Sequence, residues 1–145
     1  MQPESMVHAL EQIHNLLKPD GALIDIRPTG EKVAFLRLLG GREHFIGHMQ
    51  ETDDYIEYRQ AAEAVEAILK QGLFTCESTG TFEFRTYADT FEELTAFLAE
   101  SWSDSCVPPE VVEHAKKLEA EHGISKTILR ERVHIGLLRP VQGTL

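Results

Sequence analysis

Met6 to Pro28 reads MVHALEQIHNLLKPDGALIDIRP, and its three parts follow one another without a gap. Met6, Leu10, Ile13 and Leu17 recur at helical spacing, with Val7, Ala9 and Leu16 widening the stripe, which predicts an amphipathic helix. Pro3 suits the first turn of that helix, where no amide donor is needed. Lys18-Pro19-Asp20-Gly21 then carries turn chemistry: proline fixes one dihedral and glycine ends the helix at little cost. The next six residues, Ala22 to Arg27, are too short for a helix and nearly continuous in apolar character. A strand buried on both faces reads that way.

The rest of the chain extends this start. Val33–Leu39 and Glu43–Met49 are strand-like, and Gly40-Gly41 between them suits a tight hairpin turn. Thr52-Asp53-Asp54 opens a second helix, with acidic residues at its positive end. Its stripe runs Tyr55, Tyr58, Ala62, Val65 and Leu69 up to Gly72. Leu73–Ala88, rich in Phe and Thr, is extended, with Gly80 marking a bulge, a bend or a hairpin turn. Thr90-Phe91-Glu92-Glu93 is a capping box and starts a third helix. Asp104–Pro109 breaks it, and Pro108-Pro109 begins a fourth that runs to about His122-Gly123. The last strand, Ile128–Leu138, turns Leu129, Val133, Ile135 and Leu137 mostly inward and stops at Pro140. One domain over 1–145, with a helical insertion at about 90–123, is the expectation for a chain of 145 residues that is 42% hydrophobic.

Composition narrows the function classes. A formal charge of −10, from 24 acids against 14 bases, repels phosphate backbones and anionic lipid, so nucleic-acid and membrane partners are not expected. No apolar run approaches the ~18 residues of a membrane span. Cys76 and Cys106 are far apart, form no C-x-x-C pair and read as reduced thiols of a cytoplasmic protein, with a single disulfide as the alternative.

Leu17-Lys18-Pro19-Asp20-Gly21, with the helix before it and the strand after it, resembles the L-K-P-G-G turn ahead of the fifth strand in class I S-adenosylmethionine-dependent methyltransferases. Asp20 stands in place of the first glycine. The resemblance implies an α/β fold with a mixed sheet of three long strands, a β-hairpin and about four flanking helices. Ala22–Arg27 would be the family's fifth strand, Leu73–Ala88 the sixth and Ile128–Leu138 the seventh, with the seventh antiparallel between the other two. It also implies that the cofactor site is built mainly upstream of residue 6, so the chain reads as the back half of such an enzyme. The glycine-rich strand-to-helix turn that lets a backbone approach a nucleoside is not in this sequence: Gly40-Gly41 joins two extended runs and Gly30 begins no helix. No methyl-donor site and no other cofactor are therefore expected for this chain alone. The Ala22–Arg27 edge, without its former neighbour, is expected to be covered by a second copy in a closed dimer, by the hairpin or by a partner.

The candidate chemistry is sparse. His44 and His48, four apart beside Glu43, would hold a metal on a helix; on the predicted strand they point the same way about 13 Å apart at ~3.3 Å per residue, so no metal site is expected. Asp25 and Arg27 share a strand face as an internal ion pair or a polar site. Arg85, Arg130 and Arg132 alternate with apolar residues and would suit an anion, unless Glu83 and Glu131 between them simply make a solvated face. Tyr55, Tyr58 and Trp102 read as core. Three functions follow: an assembly or substrate-side domain of methyltransferase type, one piece of an active small-molecule methyltransferase, or a small-ligand module with its pocket between Phe91–His122 and the sheet.

Overall fold

The computed structural model describes residues 3–52 and 55–142. Four helices accompany a mainly antiparallel five-stranded sheet and a two-stranded one. The elements run α1 (Pro3–Leu16), β1 (Leu23–Pro28), β2 (Ala34–Leu39), β3 (Arg42–His48), β4 (Gln50–Glu51), α2 (Ile56–Lys70), β5 (Phe74–Ala88), α3 (Phe91–Ser101), β6 (Ser105–Cys106), α4 (Pro109–His122) and β7 (Thr127–Pro140). The strand order is β1-β7-β2-β3, with β5 also paired to β7. Asp53 and Asp54, expected to open the second helix, lie outside the described residues.

Contacts divide the chain into two compact units, to which β5 and β7 both contribute. The first comprises 1–30, 56–82 and 133–145. Its core is Ile68, Phe74 and Leu138, against which α1 lays Val7 and Leu10, β1 lays Leu23, and α2 lays Val65 and Leu69. His14 meets Phe74 edge-on at 5.3 Å between ring centres. The predicted stripe thus packs α1 through Val7 and Leu10, while Leu16, expected to widen it, is 84% exposed. β1 pairs antiparallel with β7, Leu23 opposite Leu138 through Pro28 opposite Val133. Among the described residues it pairs only with β7 and is the terminal strand of its sheet. The expectation of burial on both faces fails here: Leu23 points to the helices, while Ile24 and Ile26 are 52% and 60% exposed.

The second unit comprises 31–55 and 83–132. Gly40 and Gly41 both take positive φ, 56° and 78°, which closes the β2–β3 hairpin in the sense that matches strand twist. Ala34, Leu36 and Ile128 form its core with Leu38, and Phe35 packs edge-on against Phe91 at 5.6 Å. The hydroxyl half of the capping box forms as read, Thr90 Oγ1 accepting from the Glu93 amide at 3.0 Å, while the Glu93 carboxylate reaches one residue further back and accepts from the Asp89 amide at 3.2 Å. On the other side of Asp104–Pro109, α4 starts at Pro109 and ends on Gly123. Its C-terminal carbonyl at Gly123 accepts from Arg37, a buried cation on β2. A guanidinium there meets the negative end of the helix.

β5 is one unbroken strand of fifteen residues, so Gly80 turns no hairpin. Among the described residues it pairs only with β7, and its other flank is open.

Candidate functional site

β1 and β7 bring together a polar group that the sequence showed only in part. Asp25 lies opposite Gly136 and Arg27 opposite His134, so all four share one face of the pair. The Arg27 Nε donates to Asp25 Oδ2 at 3.1 Å, and His134 Nε2 lies 3.7 Å from the same oxygen. A side chain at 136 would place its Cβ 3.2 Å from the His134 Nε2, so glycine keeps that nitrogen clear. The Asp25 side chain is only 12% exposed, and Arg27 neutralises it there. His134 went unnoticed in the sequence because only the strand register brings it to Asp25. The group is a carboxylate held between two bases, able to fix a polar cluster or to orient an imidazole.

The three arginines lie in the second unit, and two of them, Arg85 and Arg132, already hold carboxylates. Arg85 forks onto Glu43, with bonds of 2.7 and 3.2 Å, and also reaches Glu83 at 2.7 Å. Arg132 joins Glu83 at 3.3 Å and Glu31 at 3.4 Å. Arg130 adds charge at Glu83 without a bond. The Arg132 guanidinium, with Arg85 and Arg130 behind it, holds Glu83 below the usual carboxylate range. Glu43, then Glu83, push Arg85 higher still. Burial raises Glu131 instead, with the nearby Glu51 charge adding to it. This is an interleaved ion-pair face.

His44 and His48 do sit on a strand, β3, but not on one face of it. Register shifts between Phe35 and Leu36, so that Gly47 and Phe45 face successive residues and Ile46 is the extra one. His44 lies opposite Arg37 and His48 opposite Ala34, three residues apart and so on opposite faces. A bulge of this kind leaves no trace in the spacing, and the expectation that the two rings point the same way is corrected. No group of three or more metal-ligating side chains exists among the described residues. Cys76 and Cys106 are free and exposed. Of the aromatics expected in the core, Tyr55 is buried, with its hydroxyl donating to Met49 O at 2.8 Å. Tyr58 and Trp102 are half-buried.

The opposite face of β1 and β7 is apolar and open. Ile26 lies across from Ile135 and Ile24 across from Leu137. Gly80 on β5 is beside Ile135, 3.9 Å from its Cγ2 to the position a Cβ would take, and Phe82 follows on the same face. Ile24, Ile26, Phe82 and Ile135 are all at least 37% exposed. Ile24 and Ile135 border a hollow of about 250 Å3 that opens over Gly80, Ser78 and Leu137. Scattered exposed apolar residues are ordinary; a contiguous group on one sheet face marks an interaction surface.

No protein family, curated protein or solved structure matches the chain in these comparisons. No helix among the described residues is long and apolar enough to cross a membrane.

Proposed function

We propose that this chain is an assembly domain of methyltransferase-like architecture that has no methyl-donor site of its own and pairs with a second copy through the apolar face of β1, β7 and β5. One observation carries the reading: Ile24, Ile26, Phe82 and Ile135 stand uncovered together on one sheet face, around a hollow at Gly80. Projecting isoleucines and a hollow on the same surface are self-complementary, since a twofold axis seats each copy's knob in the other's hole. The residues that line the hollow include no charged side chain. Each isoleucine fully buried in this way contributes about 1.5–3 kcal/mol.

Light scattering behind a sizing column tests the reading at tens of micromolar protein. The expected mass is twice the 16.4 kDa of the chain. Ile26→Lys, or Gly80→Val filling the hollow, returns it to the single mass with helix and strand content unchanged. A wild-type chain that stays single at that concentration overturns the dimer. Calorimetry with S-adenosylmethionine is expected to give no binding heat; micromolar affinity overturns the lack of a donor site.

The position of β7 between β1 and β5, antiparallel to β1, also supports a second reading, in which the chain is the C-terminal piece of an active small-molecule methyltransferase. An in-frame glycine-rich strand–turn–helix upstream of the Met1 codon would favour it, and a stop codon there would count against it.

A further inference from the structure

The second unit holds a different concavity, remote in kind from an assembly face. A hollow of about 390 Å3 lies where β5 gives way to α3, bordered by Tyr87, Asp89, Glu93, Leu94, Phe97 and Lys126. Its volume falls in the range of small-molecule sites. Leu94, 1% exposed, is its apolar floor, while the rings of Tyr87 and Phe97 remain 59% and 45% exposed beside it. Aromatic faces left open at the rim of a concavity are surfaces that a ligand can cover.

The charges around this cup are of both signs and are placed by the backbone. The capping box fixes the first turn of α3, so one Glu93 oxygen holds the Asp89 amide and its carboxylate cannot swing away. Lys126 is anchored by its own carbonyl, which accepts from the Leu38 amide at 2.9 Å. Neither Asp89 nor Lys126 is in an ion pair with any described residue. Elsewhere in this unit the exposed arginines Arg85 and Arg132 are already matched to carboxylates. In the cup, Asp89 and Lys126 face a common space and are not spent on each other.

We propose that this cup binds a small zwitterion with an apolar body, of the kind represented by an aromatic amino acid. Its ammonium meets Asp89 and Glu93 next to the ring faces, which favour a cation. Its carboxylate meets Lys126, and its side group lies on Leu94 between Tyr87 and Phe97. The site is independent of the dimer face: it uses residues of the second unit alone, and either can fail without the other.

Amide NMR titrations of the full chain test it with three probes: L-phenylalanine, phenethylamine and 3-phenylpropionate. Phenylalanine is expected to shift the Ala88, Asp89, Phe97 and Lys126 amides and to saturate, with each one-charge probe at least about fivefold weaker. Asp89→Asn and Lys126→Met each weaken phenylalanine by about fivefold or more, while amides in β2 and β3 keep their positions. The proposal is overturned if phenylalanine leaves those amides unmoved up to about 10 mM. It is equally overturned if either one-charge probe matches phenylalanine, or if both variants bind it as the wild type does.

Discussion

Replacing Gly47 with alanine drives a methyl group into Val111. The added Cβ would lie 2.6 Å from one Val111 methyl and 3.3 Å from the other, where carbon atoms ordinarily meet at about 3.5–4.0 Å. Val111 cannot move aside, because it is only 6% exposed and a β-branched side chain in a helix holds one rotamer. Overpacking of this sort costs about 1–3 kcal/mol, and the reduced freedom of the unfolded chain returns about 0.4–1 of it. The net loss expected for Gly47→Ala is therefore about 1–2 kcal/mol, or roughly 1 M in the urea midpoint for a domain this size. Val111→Ala alone loses two methyl groups, about 1.5–2.5 kcal/mol with its cavity. In the double variant the new methyl occupies the space the valine left, so the pair should be more stable than the summed losses by about 1–2 kcal/mol. Urea unfolding of the four proteins reads this coupling directly. A neutral Gly47→Ala, or strict additivity, would show that β3 and α4 do not meet as described.

Two further outcomes follow from the buried and paired charges of the second unit. Arg37 is 3% exposed, spends one nitrogen on the Gly123 carbonyl and leaves Nε without a protein partner. Arg37→Ala should cost about 3 kcal/mol or more through lost packing and the cavity left behind, while Arg37→Met, which keeps the volume and removes a buried charge, should stay within about 1 kcal/mol of wild type; thermal melts of the two separate these cases. Burial raises the folded-state value of Glu131, so its stabilising contribution is full below the unfolded carboxylate value and is lost as pH rises through the folded one. Glu131→Gln should thus melt higher than wild type at pH 7 and no higher below about pH 4. Glu83 is lowered, so its contribution is present at neutral pH and lost on acidification through its folded value; Glu83→Gln should melt lower at pH 7, and the gap should close in acid.

The parts legible in the sequence are those set by neighbours along the chain. Gly40-Gly41 and the alternating runs around it specify the hairpin, and Thr90 with Glu93 specifies where α3 begins. The stripe of α1 and the apolar run after Gly21 place a helix and a strand correctly. What the sequence did not carry depends on register and on coverage. The bulge at Ile46 divides His44 from His48 by a slip of one residue. His134 reaches Asp25 only because β7 runs antiparallel to β1 in one alignment. Ile24 reads as interior from its type alone, yet whether anything covers it is a property of the surrounding elements. The charged cup is not legible in the sequence, because its lining comes from three separate segments.

The open flank of β5 has a cost that concerns synthesis more than the folded state. Alternate residues of this fifteen-residue strand turn their amides and carbonyls to the open flank, where an identical strand from a neighbouring molecule can pair before either has matured. Glu77, Glu83 and Arg85 interrupt that run, and stacking like on like would crowd each against its own kind. Their bonds to Arg139, Arg132 and Glu43 hold them on duty there. Like charges at these positions disfavour such stacking, and neutralising them is expected to show first as a lower yield of clear, dispersed protein.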